Sequence, residues 1–184
     1  REIKPLLESK DRVKVGQNLK YDVNVLCNYG INVSPPYIDT MLQSYVLNSI
    51  ATRHNMDDMA RHYLGRETIH FEDVAGKGAK QILFSEVSIE AASEYAAEDA
   101  DVTLQLHREL SGSMAKAPSL EKVLDEIEIP LVSVLAKVER NGALVDANML
   151  LAQSEELGDR LTEIRDSVWS IAGEEFNLDS TKQL

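Results

Sequence analysis

Residues 88–110 read SIEAASEYAAEDADVTLQLHREL, and their periodicity predicts a long helix capped by Ser88. Ala92, Tyr95, Ala96, Asp99, Val102, Leu106 and Leu110 recur in steps of three and four and so share one face. Asp99 stands in the middle of that apolar stripe. An ionised carboxylate turned toward a core is costly unless it is paired or bound to a metal. Asp99 therefore reads either as a buried acid paired with Arg or His, or as a metal ligand. Tyr95 lies one turn earlier on the same face, where its phenol can orient a water or pack with the hydroxyl at the surface. Glu86, Glu90, Glu94 and Glu98 are four residues apart and read as a separate, solvated acidic ridge.

The same pattern occurs near the start of the chain. Residues 12–15 alternate as a short strand, Gly16 breaks it, and Asn18 is the expected N-cap of a helix that ends near Tyr29 with Gly30 as its stop. Leu19, Asp22, Val23 and Leu26 form its apolar stripe, with Asp22 one turn in. A helix that follows a strand and a glycine turn starts at the end of a sheet, where α/β proteins carry their sites. Taken alone, Asp22 also fits a first-turn acid favoured by the helix dipole by roughly 0.3–1 kcal/mol. Together, Asp22 and Asp99 suggest an oxygen-only site for a hard cation, Mg²⁺ or Mn²⁺. Two such ions about 3.5–4 Å apart can activate a water and stabilise a leaving oxygen in phosphodiester cleavage.

Between these helices, Asp39 is most simply the N-cap of a helix to about residue 48. Asn55 or Asp57 opens another over 56–64, closed by Gly65. Residues 65–85 are mixed and include a glycine-lysine stretch at 75–80, expected to be a mobile loop. No GxxxxGK[ST] is present, so a nucleotide-binding P-loop is not indicated. His54, His62, His70 and His107 show no ligand spacing and read as surface or local hydrogen bonders. Residues 111–119 have linker chemistry and mark a boundary. Beyond it, 120–140 is helical with an interruption near Pro130, Asn141-Gly142 makes a turn, 143–145 reads as a short strand, and Asp146 opens a helix to about residue 172.

The 184 residues hold 19 Lys and Arg against 31 Asp and Glu, a net charge of −12, which excludes a basic nucleic-acid coat or a polybasic membrane patch. Hydrophobic residues at 43% suffice for a core. A single cysteine, Cys27, excludes an internal disulfide and a multi-cysteine zinc site, and fits a reducing, cytoplasmic compartment. No apolar run approaches the roughly 20 residues that span a bilayer, so no membrane partner is expected. The chain opens on Arg1-Glu2-Ile3-Lys4, within charged helical sequence, and reads as a piece of something longer.

Val15-Gly16-Gln17-Asn18-Leu19-Lys20-Tyr21-Asp22 resembles the second motif of the DEDD-type 3′–5′ exonucleases. Tyr95-Ala96-Ala97-Glu98-Asp99-Ala100-Asp101-Val102-Thr103 resembles their third motif in its tyrosine form. With Asp39-Thr40-Met41-Leu42, Arg53-His54-Asn55-Met56-Asp57 and Phe71-Glu72-Asp73-Val74-Ala75-Gly76-Lys77-Gly78, the combination is similar to the proofreading domain of bacterial family A DNA polymerases. Ile127-Glu128-Ile129-Pro130-Leu131, Glu139-Arg140-Asn141-Gly142 and residues 173–184 resemble the opening of the polymerase domain of that family.

The resemblance implies an α/β, ribonuclease H-like 3′–5′ exonuclease fold lacking its N-terminal strands, then a mostly helical segment that opens the polymerase thumb. Residues 1–112 would be the C-terminal part of the exonuclease domain, 113–119 a linker and 120–184 the thumb base. It implies Asp99 as a direct ligand of the first of two Mg²⁺ or Mn²⁺ ions, Asp22 as a largely water-mediated ligand of the second, and Tyr95 as the holder of the attacking water. Gln17, Asn18, Arg53 and Phe71 would contact the single-stranded 3′ end of DNA, with a nucleoside monophosphate as product and the rest of the polymerase chain as partner, in the bacterial nucleoid. The first motif of the family, Asp-x-Glu, does not occur in these 184 residues. The chain by itself is therefore expected to have little activity and, with an uncovered sheet edge, to self-associate. A ribonuclease D-like RNA exonuclease and a catalytically degenerate binding module are the alternatives.

Overall fold

Two short strands, β1 (Lys14–Gly16) and β2 (Tyr37–Asp39), pair in parallel with Gly16 opposite Asp39. Parallel pairing demands a crossover, and α2 (Leu19–Asn28) supplies it. The computed structural model describes residues 2–183, so Arg1 and Leu184, the two ends of the stretches quoted above, lie outside the described residues. The architecture is a mostly helical α/β fold around this small sheet.

A short α1 (Lys4–Leu7) precedes the sheet. After β2 come α3 (Thr40–Leu47) and α4 (Met56–Met59), the latter continuing as a π-helical turn, Ala60–Leu64. Next are α5 (Phe71–Ala75), two 3₁₀ turns and the long α6 (Ile89–Met114). Three helix starts are capped as expected: Ser88 accepts from the Ala91 N–H, Asn55 from Asp58, and Asp39 from Met41 and Leu42. Gly65 ends its helix in the left-handed conformation, φ 63°.

Two buried clusters hold the sheet and helices. Val102, Leu106 and Leu110 of α6 close against Met59 and Ala60, all five fully buried. Leu19, Val33 and Tyr37 close against Val132 of α8 (Ile129–Asn141). Each buried leucine or valine contributes about 1.5–3 kcal/mol relative to exposure.

Several expectations differ from the structure. The stretch expected to be a mobile loop, 75–80, holds the end of α5 at Ala75, its C-cap Gly76 and a 3₁₀ turn, Gly78–Lys80. The 111–119 stretch is mostly helical: α6 continues to Met114 and α7 (Pro118–Val123) begins with its proline in the first turn, where no N–H is needed. The interruption near Pro130 is a π-helical turn, Leu124–Glu128, which widens the helix just before the residue that lacks an N–H.

The chain divides into two compact units at a different place, Arg1–Asn141 and Gly142–Leu184. The first unit extends past the expected linker because Val132 and Ala136 of α8 are buried and Arg140 donates to the Asn24 carbonyl of α2 at 3.1 Å. In the second unit the expected strand at 143–145 is absent, since this apolar triplet has no partner strand. Its one long helix, α9 (Ala147–Ala172), is capped by Asp146 and ended by Gly173 at φ 80°. The Trp169 indole N–H donates to the Phe176 carbonyl at 2.9 Å.

Candidate active site

Asp22 and Asp99, 77 residues apart in sequence, line one open pocket of about 630 Å³ together with Gly16, Gln17, Met56 and Thr103. Asp22 reaches it from the first turn of α2, and Asp99 from the middle of α6. Protein packed around Asp22, and then the charge on Asp39, push its carboxyl above the ordinary value. Burial likewise pushes Asp99 up. The Tyr95 hydroxyl opposes that shift, while the charges of Asp57 and Glu98 add to it. Among the described residues, neither Asp22 nor Asp99 forms an ion pair.

The neighbours of Asp99 explain how it stays available. Glu98 accepts from the Arg66 guanidinium at 2.8 Å and from the Ile69 backbone N–H at 2.6 Å. Asp101 lies 3.5 Å from the same guanidinium. Arg66 thus takes the acids on either side and leaves Asp99 facing the pocket. Glu98 is therefore not part of a solvated ridge: it clasps the 66–69 segment to α6. Glu86 also has a local partner, the Leu83 N–H at 2.9 Å. Glu90 and Glu94 are exposed, as expected.

Tyr95 sits against Phe84 and Phe71, with ring centroids 6.0 and 6.4 Å away and edge-on in both cases. Phe71 and Phe84 are stacked at 6.0 Å and both are partly exposed. Burial, and then the Asp99 charge, push the Tyr95 phenol above its usual value. It is therefore a neutral phenol at physiological pH, able to donate and accept a hydrogen bond.

The other expected substrate contacts are placed differently from one another. Gln17 lines the pocket, but its amide donates to the His54 carbonyl at 2.8 Å and its carbonyl accepts from Thr40. Asn18 adopts the left-handed conformation, φ 54°, and its side chain makes no cap hydrogen bond. The expected Asn18 side-chain cap is not made; instead Asp39, across the sheet, takes the N–H groups of Asn18 and Leu19. Arg53 is highly exposed, 3.9 Å from Asp58, and lines a different depression with Thr52, Arg61 and His62. Phe71 stands beside Tyr95 at the first residue of α5.

Sequence reasoning offered Asp57 only as a possible helix start and within a motif, whereas it accepts from Thr68 at 2.7 Å and pairs with His70 at 2.9 Å. The sequence did not single out Phe84. Neither carries a periodic signal, since each reaches the site from a short turn.

Residues 1–115 match the family model of the 3′–5′ exonuclease. The chain belongs to the 3′–5′ exonuclease domain family of family A DNA polymerases. It is 56% identical over 186 residues to DNA polymerase I of Pseudomonas aeruginosa, which spans all of this chain and 20% of that protein. It is 43% identical to DNA polymerase I of Rhizobium leguminosarum over 99% of this chain and 18% of that one. The chain thus spans about a fifth of the length of these relatives. Among solved structures, the POL domain of Pol1 from M. smegmatis, in complex with DNA primer-template and dNTP, matches 98% of the chain and 28% of its own, with a TM-score of 0.73 at 24% identity. At that identity the likeness speaks for the fold.

Proposed function

We propose that this exonuclease-family chain belongs to a cytoplasmic, nucleoid-associated DNA polymerase I and carries part of the site that removes mismatched nucleotides from a primer 3′ end. The observation that carries this reading is the convergence on one pocket of Asp22 and Asp99, neither of them ion-paired among the described residues. Two carboxylates with raised proton affinity and no basic partner are the donor chemistry that suits a hard divalent cation. Among the described residues, no group of three or more His, Cys, Asp or Glu is placed to hold a metal ion. Asp99 would bind the first Mg²⁺ or Mn²⁺ directly and Asp22 the second largely through water, with further ligands drawn from elsewhere in the polymerase. Bound ions would supply Lewis-acid charge at the attacked phosphoryl group.

The residues of this chain do the positioning. The neutral Tyr95 phenol holds a water in line with the terminal phosphodiester. Attack at phosphorus breaks the bond to the 3′ oxygen of the penultimate nucleotide, and a nucleoside monophosphate leaves. The partly exposed ring of Phe71 offers an aromatic contact to an unpaired base. Gln17 and Asn18 contact the 3′ end from the β1–α2 turn, and Arg53 contacts its phosphates from the neighbouring depression. The fold is ribonuclease H-like, and residues 120–184 open the polymerase thumb.

Replacing Asp99 by Ala in the intact polymerase tests the reading. Excision of a mismatched 3′ end should fall at least about a hundredfold, a loss of roughly 2.7 kcal/mol of transition-state stabilisation. Polymerisation on a matched primer should change little. Excision at the wild-type rate would refute the assignment, and preferential degradation of RNA by the parent would redirect it to a ribonuclease.

A further inference from the structure

Asp39 is more than the N-cap of its own helix. It is 1% exposed, at the end of β2, and accepts four backbone N–H groups. Its Oδ1 takes Met41 at 2.9 Å and Leu42 at 3.3 Å, which caps α3, and also Asn18 at 3.1 Å. Its Oδ2 takes Leu19 alone, at 2.7 Å. One carboxylate therefore caps two helices, its own and the one that begins across the sheet. The second cap is needed because Asn18, at the N-cap position of α2, is left-handed and supplies no side-chain acceptor.

Thr40, fully buried, completes the hold. Its hydroxyl lies 3.2 Å from the Gly16 carbonyl and donates to the Gln17 side chain. Asp39 and Thr40 together engage Gly16, Gln17, Asn18 and Leu19, the whole turn between β1 and α2. Gly16 belongs to the same close packing: a Cβ there would lie 2.7 Å from Leu19 Cδ1. Asp22 follows Leu19 by less than one helical turn, so the direction in which α2 leaves the sheet sets where its carboxylate stands.

We infer that Asp39, backed by Thr40, is the positioning residue of the exonuclease site: it clamps the β1–α2 turn and so fixes Asp22 and Gln17 opposite Asp99. This rests on the exonuclease reading above. The clamp is rigid because a buried carboxylate with all its hydrogen bonds made has no alternative arrangement of similar energy.

The two oxygens allow a selective test. Asp39→Asn can keep Oδ1 and hence the α3 cap, since Asn is itself a good N-cap. It places an NH₂ group against the Leu19 N–H, where an acceptor is required. In metal-free, full-length polymerase, amide exchange of a peptide covering 16–23 should accelerate in Asp39→Asn, while one covering 40–45 stays as in the wild type. Excision kcat should fall about ten- to a hundredfold, the range for a misplaced reacting group. The KM for the 3′ end should stay within about twofold, which separates positioning from binding. The half-saturating Mn²⁺ concentration should rise for excision but not for polymerisation by the same molecules, a split that general destabilisation does not produce.

Thr40→Val, which removes only the hydroxyl, covers the case in which Asp39→Asn fails to fold, and should move the same peptide and the same excision rate in the same direction. Unchanged exchange at 16–23, or accelerated exchange with wild-type excision, overturns the positioning role. Asp99→Ala, assayed alongside, separates the two claims. Retained excision there breaks the exonuclease reading, whereas lost excision there with wild-type excision in both clamp variants overturns only the clamp.

Discussion

The two halves of α6 share one periodicity and meet different surroundings. In its C-terminal half, Val102, Leu106, Leu110 and Met114 are buried, the first three against Met59 and Ala60. In its N-terminal half the same stripe stays partly open: Tyr95 and Asp99 are of intermediate exposure and Ala96 is exposed. Helical spacing decides which residues face the same way. Whether that face becomes core or site depends on what packs against it. Here Met59 and Ala60 cover the second half, while the first half meets the Phe71–Phe84 pair and an open pocket that Met56 of α4 also lines. A carboxylate in the second half would be a buried, unpaired charge; one turn of helix earlier it faces an open pocket.

The strongest way to sharpen this contrast is to damage each half separately. Leu106→Ala leaves a cavity among fully buried neighbours. It should cost about 3 kcal/mol and lower the melting temperature of the domain by roughly 6–12 °C. Excision per folded molecule should be unchanged, because Leu106 lies two turns from Asp99 and does not line its pocket. Calorimetry together with an active-site-normalised excision assay checks both. A melting shift under about 2 °C would mean that the closed half is not the core it looks like.

Tyr95→Phe probes the open half and should do the reverse. The ring contacts to Phe71 and Phe84 survive, and the melting temperature should barely move. Loss of the hydroxyl should slow excision about tenfold, near 1.4 kcal/mol, the scale of one well-placed hydrogen bond. Single-turnover excision at saturating primer is the measurement. Wild-type rates would leave Tyr95 with a packing role only.

Much of this was legible in the residues themselves. Ser88, Asp39, Asn55 and Asp146 announce helix starts because capping is a local event, settled within three or four residues. Asp99 announces itself by interrupting an apolar stripe, and Asp22 by following a strand and a glycine. What could not be read depends on partners distant in sequence. Arg66 reaches Glu98 across 32 residues and turns an apparent surface ridge into a clasp. Asp39 reaches Leu19 across 20 residues and replaces the cap expected of Asn18. Residues 143–145 have strand composition, but a strand exists only where another pairs with it. The compact division at 141–142 is likewise set by Val132 finding Leu19 and Tyr37, and turn chemistry at 111–119 carries no trace of that.

The smallest expected effect is the most diagnostic of what kind of site the open half is. Asp99 has its carboxyl pushed above the ordinary value of 3.8, first by burial and then by neighbouring charge. A raised folded-state value means that the native protein holds this proton longer than the unfolded chain does. Stability from this group is therefore fully present below about pH 3.8 and is lost as pH rises through the raised value. At pH 7 the ionised group is a small liability, discounted by its partial exposure. Asp99→Asn removes the charge at nearly constant shape, so in metal-free buffer at pH 7 the variant should melt about 1–2 °C above the wild type. The difference should shrink on acidification and vanish only below about pH 3.8. Adding millimolar Mn²⁺ should reverse its sign, because a cation bound by the native state stabilises the wild type and finds one ligand fewer in the variant. A variant that melts below the wild type in metal-free buffer would mean that Asp99 is an ordinary stabilising acid, and the two halves of α6 would then differ in exposure alone. A higher melting temperature that Mn²⁺ abolishes would mark the open half as a place where the fold gives up a little stability to keep a carboxylate ready for a cation.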